Sequence, residues 1–214
     1  PSVLTDAGRS YVVFGTTAIS TINLSALEAG IGGFAIRGQG ASDQSGITVS
    51  SAGDVNGDGL ADLIVGAPFA DPSSDRANAG RSYVVFGKSD TNAVNLSEVA
   101  AGSKGFVING RCMGEQSSSS VSCVGDVNGD GLADLIMGSN GGTRVYVVFG
   151  KVGTDAVELS NVNAGNGGYV LMGGMAWVNN AVVTSLGDVN GDGLADFARN
   201  RPLNGGGCGR LLLC

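Results

Sequence analysis

The stretch GDVNGDGLADL occupies residues 53–63, recurs at 125–135, and returns at 187–197 with phenylalanine in its last place. Nothing else in the chain limits the fold so strongly, because a motif copied at intervals of about 60–70 residues implies a copied structural unit. Two further landmarks travel with it. AGRSYVVFG at 7–15 comes back as AGRSYVVFGK at 79–88 and as GTRVYVVFGK at 142–151. INLSALEAGIGGFAIRG at 22–38 comes back as VNLSEVAAGSKGFVING at 94–110 and VELSNVNAGNGGYVLMG at 157–173. The chain is repeat almost throughout.

Glycine and aspartate punctuate each unit, and the β-branched and aromatic runs between them read as short strands. In the clearest copy these fall at 47–52, 62–67, 81–86 and 105–109, with a helical turn about 97–101. In the first copy Ser25 and Glu28 stand at capping-box spacing. Four strands per unit predict an all-β chain, a partial β-propeller of four-stranded blades; stacked solenoids use shorter repeats. The expected division is a half blade at 1–45, blades at 46–110 and 111–173, and a partial or degenerate blade at 174–214.

Between the first two strands of each unit lies an acidic loop. Counted from Asp54, oxygen-bearing side chains occupy positions 1, 3, 5 and 9, namely Asp54, Asn56, Asp58 and Asp62, with Gly59 at position 6 and the carbonyl of Leu60 at position 7. The second copy presents Asp126, Asn128, Asp130, Leu132 and Asp134; the third presents Asp188, Asn190, Asp192, Leu194 and Asp196. Alternate oxygens on a tight loop suit calcium, which takes six to eight oxygen ligands in flexible geometry, better than magnesium. A plain hairpin turn explains Asn-Gly and Asp-Gly, but not aspartate at positions 1, 5 and 9 every time. Three crowded carboxylates repel one another, and about three divalent ions would bring the net charge of −7 close to neutral. An EF-hand or a dockerin-type loop closes with an acid at position 12 beside helices. Here position 12 is Val65, Met137 and Arg199, and the acid at position 9 opens a strand-like run.

The remaining composition narrows the function. With no histidine, no basic run and net negative charge, phosphate-backbone binding is disfavoured, so no nucleic acid partner is expected. No run approaches the length of a membrane span, and residues 1–15 lack a signal-peptide pattern. There is no nucleophile elbow, P-loop or dinucleotide fingerprint, and most acids are committed to the loops, so the chain is not expected to be an enzyme. Cys112, Cys123, Cys208 and Cys214 show no metal-ligand spacing and read as isolated thiols, with a Cys112–Cys123 bridge left open. Asn23-Leu24-Ser25 and Asn95-Leu96-Ser97 fit the glycosylation pattern but sit at matching repeat positions.

The run DVNGDGLADLIVGAP, with YVVFG before and after it, resembles the FG-GAP repeat of integrin α-subunit propellers and of large secreted or surface bacterial proteins. Phe14-Gly15, Phe86-Gly87 and Phe149-Gly150 match the first half of the name, Gly66-Ala67-Pro68 the second, and the likeness spans residues 7–198. The second copy departs with Gly138-Ser139-Asn140, and the third with DFARNRPLNGGGCGRLLLC. The resemblance implies calcium in each acidic loop and a role in adhesion or protein interaction. The alternatives are a non-catalytic accessory propeller of a larger secreted enzyme, or a carbohydrate-binding propeller. Family propellers close with more blades than this, so the chain is expected to be part of a longer one. A protein or glycan partner is expected on the face opposite the acidic loops, at 68–80, 110–118 and 173–180. The calcium demand places the protein outside the cell or on its surface.

Overall fold

The computed structural model describes residues 4–17, 21–140, 144–172 and 183–199, and the backbone of 212–213. The chain opens with β1 (Arg9–Val13), the short helix α1 (Leu24–Glu28) and β2 (Gly33–Arg37). Next come β3 (Thr48–Gly53), β4 (Asp62–Ala67), β5 (Arg81–Val85), the two-residue β6 (Val94–Asn95), α2 (Leu96–Ala100) and β7 (Gly105–Asn109). The same order repeats as β8 (Ser117–Gly125), β9 (Asp134–Ser139), β10 (Arg144–Val148), β11 (Val157–Glu158), α3 (Leu159–Asn163) and β12 (Gly168–Met172). β13 (Val183–Gly187), β14 (Asp196–Arg199) and β15 (Leu212–Leu213) follow. The expectation at 173–180 lies outside the described residues.

Two complete antiparallel meanders result, β3-β4-β5-β7 and β8-β9-β10-β12, flanked by the β1-β2 pair and by β13-β14-β15. The fold is all-β, a partial propeller of four-stranded blades. Strand positions match the punctuation of the sequence to within a residue, since strand ends fall where glycine and aspartate interrupt β-branched runs.

Strict alternation then decides which side chains meet. In β4, β5 and β7, Ile64, Val84, Phe106 and Ile108 face one way and join Leu135, Met137, Tyr146 and Val148 of the next sheet. Val65, Tyr83, Val85 and Val107 face the other way, toward Phe34 and Ile36. Ile136, Val145 and Val147 turn outward from the second full sheet to meet Val183 and Phe197. Each full sheet is therefore apolar on both faces, which explains its near-continuous hydrophobic strands.

Three local features differ from the sequence reading. Helix α1 starts one residue before Ser25, and its N-cap is Asn23, whose side chain accepts from Ser25 N at 3.3 Å; the capping-box reading of Ser25 is therefore replaced. The strands β6 and β11 were not foreseen, because two residues carry no periodicity. Each runs parallel to the last strand of the preceding unit, β6 with β2 (Ile36↔Val94) and β11 with β7 (Ile108↔Val157). Helices α2 and α3 follow directly and place Leu96 and Val99, and Leu159 and Val162, in the cores shared with the preceding sheet.

The recurring Phe-Gly-Lys letters also acquire a use. Phe86 meets Phe106 edge to face at 6.0 Å within its own unit, as Phe14 meets Phe34 and Phe149 meets Tyr169. The lysine reaches back across the boundary, Lys88 Nζ lying 4.3 Å from the Phe34 ring and Lys151 Nζ 4.8 Å from the Phe106 ring. Such contacts contribute about 0.5–2 kcal/mol each. Gly105 starts the last strand at φ 146°, where a Cβ would stand 1.9 Å from Val84 O, so only glycine fits that entry.

Ile64 is fully buried between the two complete sheets, and Ile64→Ala should destabilise the chain by about 2–5 kcal/mol. Val152→Ala, at a side chain 75% exposed, should change stability by less than about 0.5 kcal/mol. Urea unfolding of both variants provides the comparison.

Candidate metal centre

The first strand of each unit ends in an irregularity that launches the acidic loop. Register slips between Ser51 and Gly53, between Cys123 and Gly125, and between Ser185 and Gly187. Gly53, Gly125 and Gly187 take φ of 72°, 81° and 72°, a left-handed conformation that glycine adopts without strain. The bulge turns the chain out of the sheet just before the first aspartate.

From there the loop winds around its own side chains. Asp54 Oδ1 accepts from Gly57 N at 2.8 Å and Asp58 N at 3.0 Å, and Oδ2 accepts from Gly59 N at 2.9 Å. Asn56 Oδ1 accepts from Asp58 N at 2.9 Å, and Asp58 Oδ1 from Leu60 N at 2.8 Å. Asp126 and Asp188 repeat the pattern with Gly129, Asp130 and Gly131, and with Gly191, Asp192 and Gly193. Position 1 thus has a use in the turn itself, which the sequence reading assigned to an ion alone. A single carboxylate satisfies three backbone donors that the turn leaves without carbonyl partners.

Position 9 is placed differently. Asp62 and Asp134 are fully buried. Asp62 accepts from Val55 N at 2.9 Å and from Gly87 N at 2.7 Å; Asp134 accepts from Val127 N at 2.9 Å and Gly150 N at 2.8 Å. One side chain therefore ties the loop to the glycine that follows the third strand, giving the Gly of Phe-Gly its role. Asp196 makes the corresponding bond to Val189 N at 2.8 Å. Sequence spacing located all three aspartates but gave no sign of the Gly87 and Gly150 donors.

Electrostatics in the loops are uneven. Burial pushes the Asp62 and Asp134 carboxyls above their usual range, against the pull of their amide donors, and the neighbouring Asp58 and Asp54, or Asp130 and Asp126, push the same way. For Asp126, burial is outweighed by the amides of Gly131, Gly129 and Asp130, which hold its carboxyl low; for Asp188, the Gly193 amide leads the same effect. The donor set of each loop is oxygen only, from carboxylates, one amide and the position-7 carbonyl, which fits a hard divalent cation and excludes the nitrogen and sulfur preferences of transition metals. Among the described residues no three acidic, histidine or cysteine side chains already converge as a cage. The carboxylates are held by loop amides instead, Oδ1 of Asp54, Asp126 and Asp188 each accepting two of them.

The opposite end of the sheets is laced shut rather than open. In the 68–80 connection Asp71 accepts from Asn78 N at 2.7 Å, and Arg76 Nη1 reaches Gly110 O at 3.0 Å and Glu158 Oε2 at 2.7 Å. Gly114 N and Gln116 N donate to Ala77 O and Asn78 O. Met113 stands 66% exposed beside the free, exposed Cys112; Cys123 is free and half-buried. Cys208 and Cys214 lie outside the described residues. No helix among the described residues is long and apolar enough to cross a membrane.

Residues 45–85 and 119–154 match the FG-GAP repeat family. The chain is also 30% identical over 167 residues to integrin alpha-PS2 of Drosophila melanogaster, an alignment covering 72% of this chain and 10% of that protein. The chain thus spans about a tenth of the length of the curated relative it matches.

Asp134→Ala should strand the Val127 and Gly150 amides and cost about 2–4 kcal/mol even in chelator. Asp58→Ala, at an exposed side chain, should cost under about 1 kcal/mol in the same buffer. Urea unfolding in excess EDTA measures both.

Proposed function

We propose that this chain, whose residues 45–85 and 119–154 are FG-GAP repeats, is a calcium-stabilised, integrin-α-like propeller module for adhesion or protein interaction. The observation that carries the reading is the triplicate loop. Each copy winds the same all-oxygen donor set by the same hydrogen bonds and concentrates three aspartates on nine residues. Asp54, Asn56, Asp58, Asp62 and the Leu60 carbonyl would hold one ion, with the corresponding residues of 126–134 and 188–196 holding two more.

Calcium there is structural. A bound ion offsets the burial, and the lesser repulsion from neighbouring aspartates, that push Asp62 and Asp134 upward, and it fastens the hairpin between the first two strands of each unit. Partners, protein or glycan, engage the opposite end, where the connections are fixed to one another and offer a preformed surface. The chain works as a non-catalytic part of a longer protein, and calcium loops of this class place it outside the cell or on its surface. The likeness to integrin alpha-PS2 supports this placement.

At ~1 mM calcium a site with a dissociation constant near ~0.1 mM adds about 1.4 kcal/mol of stability. Calcium should therefore raise the thermal midpoint relative to chelator, and calorimetry should count three sites. Asp130→Ala should lose at least about a third of the calcium-dependent gain, whereas Asp155→Ala, outside every loop, should keep all of it. An equal calcium response in wild type and Asp130→Ala, or no bound calcium in wild type, overturns the reading.

A further inference from the structure

We infer that the acidic loops do not fill independently: the state of one is coupled to the next, in chain order, through a single shared peptide group. The inference rests on the calcium reading above and concerns how the sites influence one another.

Ala133 N donates to Asp54 O at 3.0 Å, and Ala195 N donates to Asp126 O at 2.9 Å. Both bonds cross from one unit to the next. The Ala133 N–H belongs to the same peptide group as the Leu132 carbonyl, and that group is planar and rotates as one body. Leu132 is the position-7 carbonyl of the second loop, so the donor that grips the first loop and the oxygen offered to an ion in the second are opposite ends of one rigid unit. The Leu194 carbonyl and Ala195 N–H stand in the same relation to the second and third loops. On the receiving side, Asp54 and Asp126 are the position-1 residues, whose side chains organise their own loops. A cation drawing electrons from the Leu132 carbonyl makes the Ala133 N–H a stronger donor, because hydrogen-bonded amides polarise one another.

Two further contacts keep this link short. Lys151 N donates to Val55 O at 2.9 Å, one residue beyond Asp54. A Cβ on Gly53 would lie 2.6 Å from Ala133 Cβ, and one on Gly125 2.8 Å from Ala195 Cβ. Successive loops are thus packed with glycine against alanine. Reciprocity follows: whatever factor the second ion adds to affinity at the first loop, the first adds at the second.

The test follows each loop separately by NMR in the whole chain during calcium titration, using the Gly57 and Gly59 amides for the first loop and those of Gly129 and Gly131 for the second. Asp130→Asn and Asp130→Ala, which disable the second loop, should each weaken calcium binding at the first by about fivefold or more, although no first-loop residue is altered. Replacing the Ala133 amide by an ester removes the N–H, should itself weaken the first loop, and should abolish the further effect of Asp130→Asn there, closing a double-mutant cycle. If all loops bind calcium but first-loop affinity is the same in wild type and both Asp130 variants, the coupling is wrong while the calcium reading stands. If no loop amide responds to calcium in wild type, the calcium reading itself fails and the coupling with it.

Discussion

The buried carboxylate that ends each of the first two acidic loops is the interaction on which the unit depends. Asp62 and Asp134 begin the second strand, accept from the loop behind them, and accept again from the glycine that leaves the third strand. Three consecutive parts of a sheet meet on one fully buried side chain. Burying a charged group is costly unless hydrogen bonds compensate, and two backbone donors supply that compensation here while the crowding of neighbouring aspartates works against it. Each of these carboxylates is therefore held at a balance between the cost of burial and the hydrogen bonds that offset it.

That balance explains the economy of the repeat. Glycines at the bulge and in the loop permit the turn, the first aspartate ties its amides, and the last aspartate locks it to the sheet. Each letter of GDVNGDGLAD that looks redundant in a simple hairpin has a separate physical duty, and several have two. Apolar residues between these fixed points need only alternate, because both faces of each full sheet are covered by a neighbour.

Much of this was legible in the sequence because the strands are short and bounded by residues with strong local preferences. Ile64 and Val65 announce opposite faces simply by adjacency, and the acidic loops declare themselves by spacing. What was hidden depends on residues distant in sequence. Nothing in Val94-Asn95 signals a parallel pairing with β2, and nothing in Gly87 signals that it donates to Asp62. The spacing of Ser25 and Glu28 misled because a local capping pattern competed with Asn23, which lies where the chain enters the helix. The part that Asp54 plays in its own turn was hidden because spacing does not count the amides that a glycine-rich turn leaves unsatisfied.

The backward reach of β6, β11, α2 and α3 separates the unit written in sequence from the unit closed in space. A segment encoded between the third and fourth strands of one copy completes the edge and covers the core of the copy before it. Lys88 and Lys151 follow the same rule. Among the described residues the two complete copies hand the same pieces to their predecessors. The last strand of a unit therefore gains its outer neighbour only when the following copy folds against it.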